Sequence, residues 1–309
     1  MTVPSEPVSD PVDPRLSVVM GERRRLTGLA YRLLGSLADA EDVVQDAYTR
    51  WYALSPGQRE DIDSPGAWLA KAVGRLCLNV LSSARVRRET YVGEWLPEPL
   101  PGPAERDGGG PVGPFGDPAD RVTLDESVTM AFLVVLESMT PAERVAFVLH
   151  DVFRYPFADV AQVVGRTPAA CRQLAVSARR RVRTAHAPAS PAARQAGVVK
   201  AFKRAWEEGD IDSLVRLLDP DATVTADGGG RVRTARRPIS GAERIARTLF
   251  GFAGRVDDLT LVERTVNGRP GLVAQRDGRT VTVTAFQVEN GLITHIWAVR
   301  NPDKLRSWA

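Results

Sequence analysis

Several stretches of this 309-residue chain carry side chains in patterns suited to charge recognition. Asp39, Asp42, Asp46 and Arg50 recur at intervals of three and four, with Gln45 beside them. A helix aligns these along one side and gathers Ala40, Val43, Val44, Ala47, Tyr48 and Trp51 on the other. One side packs, and the other offers carboxylates to solvent or to a cationic partner. Further on, Lys71, Arg75, Asn79 and Ser82 or Ser83 line one side of a second helical pattern and run into Arg85, Arg87 and Arg88, while Leu69, Val73, Leu76 and Val80 fill its apolar side. That is a surface for phosphates. The most concentrated positive charge lies between Arg166 and Arg183, where six arginines occur with no acidic residue.

Start and stop signals predict the elements that position these groups. Ser64 caps a helix with Pro65 at its first position, running through Trp68 toward Arg88. Thr140-Pro141-Ala142-Glu143 is a capping box opening a helix toward Val152, and a shorter helix follows from Phe157. Gly165 then supplies a tight turn, Thr167 a cap and Pro168 the first residue of the arginine-rich helix. The spacing is that of a helix-turn-helix, whose second helix enters the DNA major groove by its N-terminal part. Thr167, Ala169, Arg172 and Gln173 are the expected base readers, with Arg166, Ser177, Arg179 and Arg180 on the phosphate backbone.

Composition bounds the rest. The hydrophobic fraction of 43% and charged fraction of 26% are those of ordinary globular protein, and the net charge of +3 leaves nucleic-acid binding to be decided by distribution. No leader-like or membrane-spanning run occurs, so a cytoplasmic location and no membrane association are expected. Cys77 and Cys171 suit reduced thiols, and His150, His186 and His295 share no metal-ligand spacing, so no metal and no cofactor are predicted. Between Gly93 and Asp120 seven prolines and seven glycines exclude helix and strand, and a second break runs from Ala185 to Ala193. The expectation is a multidomain chain: an all-α module over 15–92, a linker over 93–120, an all-α helix-turn-helix module over 121–186 and an α+β module over 194–309. In the last, helices around Gln195 to Glu208 and Ile211 to Leu218 precede strands Thr280 to Val288 and Leu292 to Arg300, joined at Glu289-Asn290-Gly291.

The run from Asp39 to Tyr52 closely resembles the second conserved region of extracytoplasmic-function sigma factors, and the helix-turn-helix resembles their fourth. The resemblance implies that Asp39, Asp42, Gln45, Asp46 and Arg50 dock on the β′ subunit of core RNA polymerase, with further contacts to β. It also implies that the basic helix, with the loop Ser55 to Asp63 before it, opens the −10 promoter element, while the helix-turn-helix reads the −35 element. Three islands, Trp95-Leu96-Pro97 with Glu98-Pro99-Leu100, Asp227-Gly228-Gly229-Gly230 with Arg231, and Asn301-Pro302-Asp303-Lys304-Leu305, look like signatures of the SigJ-like group with a fused SnoaL-like domain. This implies a nuclear-transport-factor-like cone that contacts the linker and first module, encloses a cavity for a small ligand, and regulates rather than catalyses.

Two rivals remain on the residues alone. A one-component regulator with a small-molecule-sensing domain leaves the acidic helix unexplained. A SnoaL-like isomerase or cyclase has Asp227, His295 and Asp303 as its titratable candidates, and no spacing brings two of them to one substrate atom, so no catalytic residue is predicted.

Overall fold

The computed structural model describes residues 19–89, 91–102, 128–185, 190–253 and 258–308, without the side chains of 84–89, 252 and 253. The expected phosphate contacts Arg85, Arg87 and Arg88, and the linker beyond Gly102, therefore lie outside the described residues.

Helix α1, Arg23–Leu34, stops at Gly35, whose positive φ of 68° lets its N–H bond the Tyr31 carbonyl. Ser36 caps α2, Leu37–Tyr52, by accepting from the Asp39 amide. The short α3, Pro56–Glu60, closed by a capping box between Ser55 and Gln58, occupies part of the stretch expected to be loop. The serine and proline that start it were legible, but five residues are too few to show a period. Ser64 caps α4, Pro65–Glu89.

The second helical set contains α5, Met130–Glu137, and α6, Pro141–Phe147, whose Thr140 and Glu143 form the predicted capping box. The chain continues through Val148–Val152 as a π-helical turn, then α7, Phe157–Val164, Gly165 at φ 70°, and α8, Pro168–Ala185. The two sets do not keep separate cores as expected. One apolar cluster runs from Val19 and Leu29 through Val73 and Leu149 to Cys171 and Ala178. Gly74 in mid-α4 makes this possible, since a Cβ there would lie 2.9 Å from the Val163 methyl of α7. Arg144, 2% exposed, donates 2.8 Å to the Leu33 carbonyl of α1 while pairing with Glu137 at 2.6 and 3.1 Å.

The C-terminal part has the expected α+β architecture. Helices α9, Ala192–Glu207, α10, Ile211–Leu217, and α11, Ala242–Ala253, lie on a sheet of β1 Leu218–Asp227, β2 Ile239–Ser240, β3 Leu259–Val266, β4 Arg269–Arg276, β5 Arg279–Glu289 and β6 Leu292–Val299. The strand order is β2-β1-β6-β5-β4-β3, with β1 parallel to β6 and the other neighbours antiparallel. Asn290 and Gly291, both at positive φ, close the β5–β6 hairpin where the sequence placed it. Alternation sends Leu272, Phe286 and Ile296 toward the helices, and Val273, Ala285 and Trp297 to the opposite face. Against that opposite face pack Leu96 of the linker and Met130 of α5.

Candidate functional site

On α2 the predicted division holds. Ala40, Val43, Val44, Ala47, Tyr48 and Trp51 are buried, while Asp39, Asp42, Gln45, Asp46 and Arg50 are exposed in a row. The face is therefore a mostly acidic surface held rigid from beneath.

The basic side of α4 is partly covered. Lys71 Nζ lies 2.6 Å from Asp159 of α7 and 3.1 Å from Gln162 Oε1, and Arg75 donates to the Gln162 carbonyl at 3.1 and 3.3 Å. Asn79, Ser82 and Ser83 stay exposed, the serines donating back to Leu78 and Val80 carbonyls of their own helix.

On α8, Arg166, Thr167, Ala169, Arg172, Gln173 and Arg180 are exposed, with Arg172 5.5 Å above the Phe157 ring. Thr167 caps the helix through the Ala170 amide. Ser177 and Arg179 differ: Ser177 donates 2.7 Å to Glu143, and Arg179 pairs at 2.7 Å with Asp151. Both are half-buried against α6 and the π turn, so their first partners lie inside the helical bundle.

The three islands meet at one point, although more than a hundred residues separate the first from the second. Asp227, at the end of β1, has no exposed surface. Its Oδ1 accepts from the Tyr91 hydroxyl at 2.6 Å and the Gly229 amide at 2.9 Å. Its Oδ2 accepts from the Leu96 amide at 2.9 Å and Lys304 Nζ at 2.7 Å. Lys304 also donates to the Leu96 carbonyl and stands 4.0 Å from the Trp95 ring centroid. Asn301 donates 3.0 Å to the Tyr91 hydroxyl. The glycines are there for space: a Cβ on Gly228 would meet the Val232 carbonyl at 2.1 Å, one on Gly229 the Asn301 amide at 2.3 Å, and one on Gly230 Val92 at 3.1 Å. Pro302 opens a 3-10 turn that brings Leu305 into the cluster with Leu96, and exposed Asp303 pairs with Arg231 at 3.0 Å. Pro97 is buried within the same linker segment.

Other participants went unseen in the sequence. Tyr31 of α1 donates 2.6 Å to the Glu98 carbonyl and receives Asn267 Nδ2 at 3.0 Å. The Glu98 carboxylate accepts from the Leu37 amide at the start of α2, and Trp308 donates 2.8 Å to the Pro99 carbonyl. Asn267 exchanges backbone and side-chain bonds with Leu100. Each is a lone polar residue in an apolar or turn context, with nothing local to mark it. The linker is thus a strip clamped between α1, the start of α2 and the far face of the sheet.

Comparison with known proteins follows the same division. Residues 18–87 match the family model for Sigma-70 region 2, and residues 129–182 that for Sigma-70 region 4. The ECF RNA polymerase sigma factor SigJ of Mycobacterium tuberculosis is 40% identical over 295 residues, covering 91% of this chain and 90% of that protein. The probable ECF RNA polymerase sigma factor SigI of the same species is 36% identical over 294 residues, covering 95% of each. The crystal structure of the M. tuberculosis sigma factor SigJ superposes with a TM-score of 0.73 at 37% identity, spanning 94% of this chain and 98% of that one. With an acidic helix, a basic helix and a helix-turn-helix in family order and a SnoaL-like domain clamped to them, this chain belongs to the extracytoplasmic-function RNA polymerase sigma factors.

Proposed function

We propose that the C-terminal domain regulates this sigma factor in cis, through the Asp227 cluster that locks it to the linker. The supporting observation is the burial of Asp227 together with Lys304: a carboxylate taken out of water needs an opposite charge and satisfied lone pairs, and all four donors sit where two domains and the linker meet. A buried pair of this kind adds little net stability over an apolar contact and specifies one arrangement.

In this reading the exposed acidic face of α2 docks on the β′ subunit of core polymerase, α4 engages the promoter element nearest the start site, and α8 reads the distal one. The partners are core polymerase and promoter DNA, met in the cytoplasm. The docked state withholds Lys71 and Arg75 from DNA, because α7 holds both. Opening must therefore separate α4 from α7. The chemistry of an isomerase is not what the C-terminal domain is arranged for: Asp227 serves the cluster, Asp303 pairs with Arg231, and neither they nor His295 line the domain's cavity.

The test is promoter-specific transcription with purified core polymerase, comparing the full chain with its Asp227→Asn variant. The expected result is altered promoter output with core binding retained; equal output from both overturns regulation through this cluster.

A further inference from the structure

Between α9, α11 and the sheet lies a cavity of about 330 Å³, at the lower end of the range of small-molecule sites. Its interior is apolar, with Phe202, Trp206, Ile245 and Leu272 among its walls. Among the described residues lining it only two are charged, Arg276 at the end of β4 and Arg300 just beyond β6, and both are cationic. Arg276 is exposed and Arg300 half-buried. Burial first, and then the charge of Arg276, hold the Arg300 guanidinium below its usual range, so each cation is felt by the other. Arg300 is steadied by a 3.1 Å bond to the Arg233 carbonyl.

Two cations on an apolar cavity with no carboxylate among its walls form a mismatch that an anion relieves. Guanidinium bonds to a carboxylate are charge-assisted, and in a site of low dielectric they are stronger than in water. We propose that this cavity binds a small, mostly apolar carboxylate, with its hydrocarbon body against Phe202, Trp206 and Leu272 and its anionic end at Arg276 and Arg300. The site goes beyond the regulatory reading and stands or falls without it. It does share a wall with the Asp227 cluster, since Pro302 and Leu305 line the cavity and the Arg300 amide bonds the Asp227 carbonyl at 2.7 Å.

The experiment titrates the full chain with decanoate, decan-1-ol and decylamine below their aggregation limits, read by calorimetry and by tryptophan emission, to which Trp206 contributes. Saturable binding of decanoate, about tenfold or more tighter than the alcohol or the amine, is expected, which is the scale of a charge-assisted hydrogen bond. Arg276→Gln, at an exposed position that leaves folding untouched, should weaken decanoate several-fold without weakening decanol. Ala298→Phe, which fills the cavity, should abolish both. Absence of saturable binding, equal binding of acid, alcohol and amine, or decanoate affinity unchanged in Arg276→Gln overturns the proposal.

Discussion

Asp227 accepts four hydrogen bonds with no contact to water, so removing its charge leaves Lys304 buried without a counter-charge. Breaking a buried pair from one side costs about 3–5 kcal/mol, and Asp227→Asn should destabilise the chain on that scale in denaturant unfolding. Lys304→Met in the same background should restore part of the loss, because no orphaned charge then remains. Glu98 makes a second, pH-dependent prediction. Burial pushes its carboxyl above the ordinary value of 4.5, even though the Leu37 amide and Lys304 pull the other way. The folded chain then holds a proton that the unfolded chain has released. Stability from this group is full below pH 4.5 and falls as pH rises through the raised folded value. Glu98→Gln should flatten that part of the melting-temperature profile; an unchanged profile would show that the docked linker does not set the Glu98 titration. Of these residues Asp227 and Lys304 were legible as members of short motifs. Glu98 was visible only as part of a proline-rich strip, and Tyr91 not at all, because a partner 136 residues away leaves no local period.

At the scale of elements, the question is how firmly α7 holds α4. The partly exposed pair Lys71–Asp159 contributes only about 0.2–1 kcal/mol, so the association rests on apolar packing across Gly74. Gly74→Leu places a side chain where Val163 already sits, an overpacking cost of about 1–3 kcal/mol. The variant should scatter X-rays with a larger radius of gyration than the parent, and an unchanged radius would mean that the helices do not part there. On α8 the exposures separate two roles. Arg172→Ala should cost about 1–3 kcal/mol in binding to distal-element DNA, with relaxed base preference. Arg179→Ala should act chiefly on stability, since Asp151 already holds that side chain. Comparing affinity and melting temperature for both variants checks the assignment. The helices themselves were well marked, because capping residues and apolar periods are local. Their mutual packing was not, because a glycine inside a helix tells nothing of what approaches it.

For the whole molecule, the α+β domain was recognisable from its final hairpin and leading helices, and its β1–β6 parallel pairing was not, since such a pair joins distant segments. The same limit hid the depth of the linker's docking: prolines and glycines exclude regular structure, yet residues 96–99 are buried between two domains. What emerges is a sigma factor whose helical domains share one core and whose C-terminal domain grips the connecting strip. The most direct measurement is promoter-specific initiation by purified core polymerase, with the full chain set against a chain ending at Ala185. The account predicts that both start transcription at the same site with clearly different strengths. Equal strengths would contradict regulation by the C-terminal domain, and failure of both to bind core polymerase or initiate would contradict the assignment of the acidic and basic helices themselves.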